Sequence, residues 1–218
     1  MDKIRELKDL EEVKKIDASD LYKQLYEYGE IKNYEDLLSI NNFHKRIILL
    51  TDIDEDAGEG VAELIRYYNQ IDTDLGIAPK DREPIKIYID STGGSVFAAF
   101  VIIDAIALSK TPIYTINMGA ALSAGFVIFI AGHKRFAYPN AIFLFHEGST
   151  NSHLMDAGKF RNFANFYDLL LERSKEMILE KTNISLELYK EKRNDDWWFF
   201  ANEAIELGVC DEILTSFI

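Results

Sequence analysis

Apolar positions along the chain change period near residue 45. Before it, Ile4, Leu7, Leu10, Val13 and Ile16 recur at near-helical spacing among Lys and Glu, which predicts an amphipathic helix. Asp17 or Ser19 can cap a second helix carrying Leu21, Leu25 and Tyr28, and Asn33 can cap a third. Residues 1–43 therefore read as a helical extension, either packed on a core or serving as a partner-docking arm. From residue 45 short strand-like runs alternate with helical ones. Arg46–Thr51, Ile85–Ile89, Pro112–Ile116 and Ala141–Phe145 are β-branched or aromatic runs. Between them lie a helix over Val61–Tyr68, one after Gly93-Gly94 with Val96, Phe97, Phe100, Ile103 and Ile106 apolar, and an apolar stretch Gly119–Gly132. This order predicts an α/β domain over 44–218 with a mostly parallel sheet. A long helix over about 157–181 carries Phe160, Phe163, Phe166, Leu169, Leu170 and Ile178, and two shorter helical pieces follow it. The charged segment 72–83, with Gly76 and Pro79, is the expected surface excursion.

Composition narrows the function classes. The formal net charge is −13 over 218 residues, the opposite of the basic face a nucleic-acid binder needs. Cys210 is the single cysteine, so neither an internal disulfide nor a thiolate zinc cluster can form. The first six residues are mostly charged where a secretory signal would be apolar, which reads as a cytoplasmic, soluble chain. The uncharged run Gly119–Gly132 is shorter than the roughly 20 residues of a spanning helix. It reads as a helix buried in protein, with Ser123 inside it.

Four groups could carry chemistry. Ser123 sits where a strand gives way to a helix, and unpaired N–H groups at that junction suit a developing oxyanion. The local pattern Ala121-Leu122-Ser123-Ala124-Gly125 lacks the first glycine of the hydrolase G-x-S-x-G turn. His146 follows the strand ending at Phe145. Ligands gather at the carboxyl ends of parallel strands, so both side chains can face one crevice. Asp195 or Asp196, before Trp197-Trp198-Phe199-Phe200, could orient the imidazole if partly buried against those rings. Gly93-Gly94 allow close backbone approach, and the Gly94 N–H is a candidate oxyanion donor. Taken singly, each has a plainer reading as a packing serine, a structural histidine, a solvated carboxylate or a tight turn. No Walker loop or dinucleotide fingerprint is present, so no ATP site or other cofactor is expected in this chain. Asp52, Asp54, Asp56 and Glu63 match calcium-loop positions 1, 3, 5 and 12, but position 6 is Ala57 and a strand precedes them. His146, His153 and Asp156 make an equally weak metal set, so no metal is expected.

The ordered set of motifs resembles the Clp protease family. It comprises Arg46-Ile47-Ile48, Tyr88–Ser95, Met118–Gly125, Lys134–Asn140, the strand into His146, and Ala201–Leu214 with Glu203-Ala204 and Gly208–Asp211. The resemblance covers roughly 45–215 and implies a serine peptidase on the ClpP/crotonase-like fold. That fold has repeated β-β-α and βαβ units and a long handle helix protruding at about 157–181. It implies Ser123 as nucleophile, His146 as general base, Asp196 as orienting acid, and the Gly94 and Ala124 amides as oxyanion donors. It also implies heptameric rings stacked as a tetradecamer, fed with unfolded polypeptides by an AAA+ Clp ATPase that uses the ATP. No membrane partner is implied. Thr92 stands where the family usually has proline, Asp90 for asparagine, Ala120 for glutamine, Ala124 for methionine, and Glu147-Gly148 for Gln-Pro. The alternatives are a ring subunit without catalysis and two enzymes on the same fold. One is a signal-peptide-peptidase-like protease using Lys159, Lys175 or Lys181 as base; the other is an acyl-CoA crotonase.

Overall fold

Parallel pairing dominates the backbone of this chain, for which a computed structural model describes residues 34–148 and 156–218. Seven strands form one sheet: β1 (Ile47–Ile53), β2 (Ile85–Gly94), β3 (Ile113–Leu122), β4 (Lys134–Ala137), β5 (Ile142–Phe145), β6 (Trp197–Phe200) and β7 (Glu212–Ile213). The main path is β1-β2-β3-β4-β7, all parallel, while β5 pairs parallel with β3 and β6 antiparallel with β5. The helices are α1 (Tyr34–His44), α2 (Glu55–Asp74), α3 (Val96–Leu108), α4 (Ala124–Ala131), α5 (Ala157–Lys181), α6 (Leu186–Lys192) and α7 (Ala201–Glu206). The helices expected over 4–16 and 17–28, the Asn33 cap and His153 lie outside the described residues.

β3 is the strand that positions everything else. Tyr114–Asn117 pair with Lys134–Ala137 of β4, and Ala120–Leu122 pair with Ile142–Leu144 of β5, so the strand serves two neighbours in turn. The expected single helix over Gly119–Gly132 is therefore corrected: its first part is strand, and helix starts only at Ala124. Gly, Ala and Ala carry little β propensity, but their backbone groups are claimed by β5 and by two side chains. Asn117 Oδ1 accepts from Gly119 N at 3.1 Å, and Asp90 Oδ1 accepts from Ala120 N at 3.0 Å. These bonds span the register shift between β2 and β3, where Ile89 faces Asn117 but Ser91 faces Ala121.

The core forms where α4 lies against the sheet. Phe126, Ile128, Phe129 and Ile130 of α4 have no solvent exposure, as its uniformly apolar sequence requires. Phe129 packs on Phe143 of β5, and Phe143 stacks on Phe199 of β6 with 5.5 Å between centroids. Losing one such ring costs about 3–5 kcal/mol through the cavity left behind. α5 differs: of its 25 residues only Ile178 is buried, while Phe160, Phe166 and Leu169 face outward.

One further expectation is corrected and another is refined. The helix read over Val61–Tyr68 begins at Glu55, because the Asp54 carboxylate accepts from Ala57 N at 2.8 Å and caps it. The acidic run thus divides between β1, a cap and α2. The 72–83 segment is the surface excursion expected, with most of its residues exposed, but it is anchored at both ends by buried Asp72 and Arg82. Asp72 is fully buried and takes a two-pronged contact from Arg46, with Nη1–Oδ2 2.8 Å and Nη2–Oδ1 2.6 Å. Thr111 Oγ1 donates to the same carboxylate at 2.8 Å. Burial pushes the Asp72 pKa up, but the Arg46 and Thr111 hydrogen bonds and the Arg46 charge outweigh it and hold the group below its ordinary value. Arg82, also buried, donates to Ile77 O and to Thr73.

Candidate active site

Ser123 occupies the single residue between β3 and α4, with φ 54° and ψ −118°. Only Arg46 shares a positive φ among the described non-glycine residues, so this backbone is strained. What holds it is a bond from Ser123 N to Leu144 O of 3.0 Å. The hydroxyl does not cap α4. It lies 2.6 Å from His146 Nε2 instead. His146 follows β5 directly, so the same strand that fixes the serine backbone also delivers the imidazole.

The other imidazole nitrogen, Nδ1, is 3.3 Å from Asp196 Oδ1. Asp196, not Asp195, is the acid the structure brings to His146. One part of the expectation fails. The Asp196 side chain is 63% exposed against 26% for His146, so the aromatic block does not bury it. Trp197–Phe200 is a strand. It sends Phe199 into the core, while Trp198 and Phe200 face outward.

Gly93 and Gly94 stand opposite the serine. A Cβ on Gly93 would meet Ser123 Cβ at 2.8 Å, and one on Gly94 would meet Ile53 O at 2.1 Å; both residues also have positive φ. No side chain fits at either position. Gly94, Ser123, Ala124 and His146 line one cavity of about 550 Å³. Ala124 opens α4, and the first backbone donor to reach back is Phe126 N, to Ser123 O at 3.0 Å. The amides of Ala124 and Gly125 precede any intrahelical acceptor and form the positive end of the helix. Farther in, the cavity is lined by Val127, Phe163, Leu170, Leu171 and Ile178. No lysine lines it among the described residues; Lys159 pairs with Asp156 at the start of α5, and Lys175 pairs with Glu172.

Reading the sequence missed the supports. Asn117 is fully buried, donates to Ile142 O at 2.9 Å and so joins β3 to β5 beneath the site. A lone asparagine before Met118-Gly119 was the available signal. Glu147, one of the departures from the family pattern, lies at the cavity wall with Tyr167 and Tyr189. Burial, followed by the Glu147 charge, pushes the pKa of both tyrosines up.

Comparison with known proteins places these features in a family context. The Clp protease family model matches residues 31–217. The ATP-dependent Clp protease proteolytic subunit 3 of Rhodococcus jostii (strain RHA1) is 31% identical over 189 residues, covering 85% of this chain and 89% of that protein. The ATP-dependent Clp protease proteolytic subunit of Lactococcus lactis subsp. lactis (strain IL1403) is 34% identical over 180 residues, covering 78% and 84%. Among solved structures, the ClpP1 N165D mutant from Listeria monocytogenes superposes with a TM-score of 0.66 at 27% identity, covering 82% of this chain and 96% of that one.

Proposed function

This chain belongs to the Clp protease family, and we propose that it is a serine endopeptidase in which Ser123, His146 and Asp196 form the catalytic triad. The observation that carries the reading is the hydrogen bond of 2.6 Å from Ser123 to His146 and the 3.3 Å approach of Asp196 to the other ring nitrogen, beginning at a serine held in strained backbone. In this mechanism the Ser123 hydroxyl donates to His146 Nε2, and His146 Nδ1–H donates to Asp196. Oγ attacks the scissile carbonyl as its proton passes to Nε2. The tetrahedral oxyanion is held by the Gly94 and Ala124 amides, each worth roughly 3–4 kcal/mol of barrier. Collapse breaks the C–N bond, and Nε2 returns the proton to the leaving amine. Water then repeats the sequence on the acyl-enzyme and frees Ser123. The apolar inner wall suits a large apolar side chain next to the scissile bond.

The family reading extends to assembly. In this proposal subunits join through α5 into heptameric rings stacked as a tetradecamer, which would cover the outward Phe160, Phe166 and Leu169. An AAA+ partner would use the ATP and feed unfolded polypeptide, and this chain would need no cofactor. The site would work in the cytoplasm; no described helix is long and apolar enough to cross a membrane.

The test is hydrolysis of short fluorogenic peptides together with labelling by a fluorophosphonate probe. Wild type should cleave and label while Ser123→Ala does neither. Equal, slow turnover by both proteins would overturn the reading, and a silent Ser123 in a folded ring would leave a scaffold subunit in its place.

A further inference from the structure

Asp196 is held weakly for a residue at the end of a relay. Its side chain is mostly solvent-exposed, and the segment that brings it to the site, Arg193–Asp196, lies between α6 and β6. On one side β5 and β6 fix the approach, with Phe145 opposite Trp197. On the other side the ladder has ended, and one long backbone bond and a side chain take over. Glu147 N donates to Arg193 O at 3.4 Å, and Glu147 Oε1 forms an ion pair with Arg193 Nε at 3.2 Å. The same oxygen accepts from Tyr189 Oη at 3.1 Å. Tyr189 is buried and packs its ring on Phe145, so the carboxylate is hung from the core. The Glu147 side chain is only 17% exposed, which strengthens a charge-assisted contact relative to one in open water.

We propose that Glu147 is a positioning residue: its carboxylate ties the end of the His146 strand to the segment that presents Asp196, and so sets the imidazole–acid distance. The inference rests on the triad reading above. His146–Asp196 lies between two cross-links, Phe145–Trp197 and Glu147–Arg193. Only Asn194 and Asp195 separate Arg193 from Asp196. Removing the side-chain part of the second cross-link leaves only the 3.4 Å backbone bond to restrain the segment, so Asp196 can swing into solvent and the imidazole loses the acceptor that fixes its tautomer.

The experiment compares wild type, Glu147→Ala, Glu147→Gln, Arg193→Ala and the Glu147→Ala/Arg193→Ala pair. It measures peptide hydrolysis, and hydrogen exchange of the amides at 193–197. Glu147→Ala should lower kcat about tenfold with KM within about twofold, as expected for a small misplacement of a catalytic group. Glu147→Gln, whose amide oxygen still accepts from Tyr189 but no longer pairs by charge with Arg193, should fall between wild type and Glu147→Ala. The paired variant should be no worse than the worse single one, because both remove one tie. Exchange at 193–197 should quicken in Glu147→Ala and Arg193→Ala. Wild-type kcat in folded Glu147→Ala, a loss confined to KM, or additive losses in the pair would overturn the proposal. If Glu147→Ala does not fold, Arg193→Ala carries the test through a side chain 44% exposed. Failure of the triad reading is a separate result: wild type then neither cleaves nor labels, and unchanged exchange at 193–197 still overturns the tie.

Discussion

Two polar clusters sit at opposite ends of the same parallel strands. At the amino-terminal end, Arg46 before β1 and Thr111 before β3 enclose Asp72. At the carboxyl end, Ser123 after β3 and His146 after β5 meet Asp196. Each contains a carboxylate, a nitrogen-bearing side chain and a hydroxyl, but the nitrogen is a permanent cation in the first and an imidazole in the second. The first is fully buried at its carboxylate, and three donors saturate it, so its function is to fasten α2 and the 72–83 segment to the sheet. The second grades from a cavity-lining serine to an exposed acid. Its hydroxyl faces the one partner that can take its proton. Saturation makes a clamp, and a single poised contact leaves chemistry to be done.

The sharpest way to break that contrast is Ser123→Ala, which should lower kcat on the order of 10⁶-fold and leave the thermal midpoint near wild type. A large loss of stability instead would make the serine structural. Asp196→Asn should lower kcat on the order of 10³-fold, less than buried orienting acids lose, because solvent already reaches the carboxylate. The opposite cluster should respond in stability alone. Asp72→Ala leaves Arg46 buried without its partner and should cost about 3–5 kcal/mol in denaturant unfolding, with kcat per folded molecule retained. Acid sharpens the comparison further. Asp72 is held below its ordinary pKa in the fold, so its contribution is present above the unfolded value of about 3.9 and disappears as pH falls through the folded one. The stability gap between wild type and Asp72→Ala should therefore narrow on acidification below about pH 4. The smallest effect concerns Cys210. Burial pushes its thiol up to about 11, so alkylation at pH 8 should be slow in the native state and quicken only on unfolding.

Much of this arrangement was legible in the chain. Alternating β-branched runs and the turns after them located four strands, and the strand ends then singled out Ser123 and His146. The choice of Asp196 over Asp195 came from resemblance; periodicity could not separate adjacent carboxylates. What escaped was structure set by backbone pairing. β2 and β3 run on through Gly93-Gly94 and Gly119-Ala120-Ala121, residues without side-chain signal for a strand. β6 hid because Trp197-Trp198-Phe199-Phe200 has no polar alternation to reveal period two, although Phe199 is buried and both its neighbours in sequence are not. Asp72 looked like a surface charge because its partners Arg46 and Thr111 are 26 and 39 residues away. Glu147 was invisible as a tie for the same reason, since Arg193 is remote in sequence.

The bond from Ser123 N to Leu144 O, with Ala120–Leu122 laddered to Ile142–Leu144, makes nucleophile and base passengers on a single girder. Flexing β5 carries both together and leaves their spacing alone. The third member arrives on a separate beam, so vibration, heating or mechanical load on this molecule reaches the relay first at its outer joint.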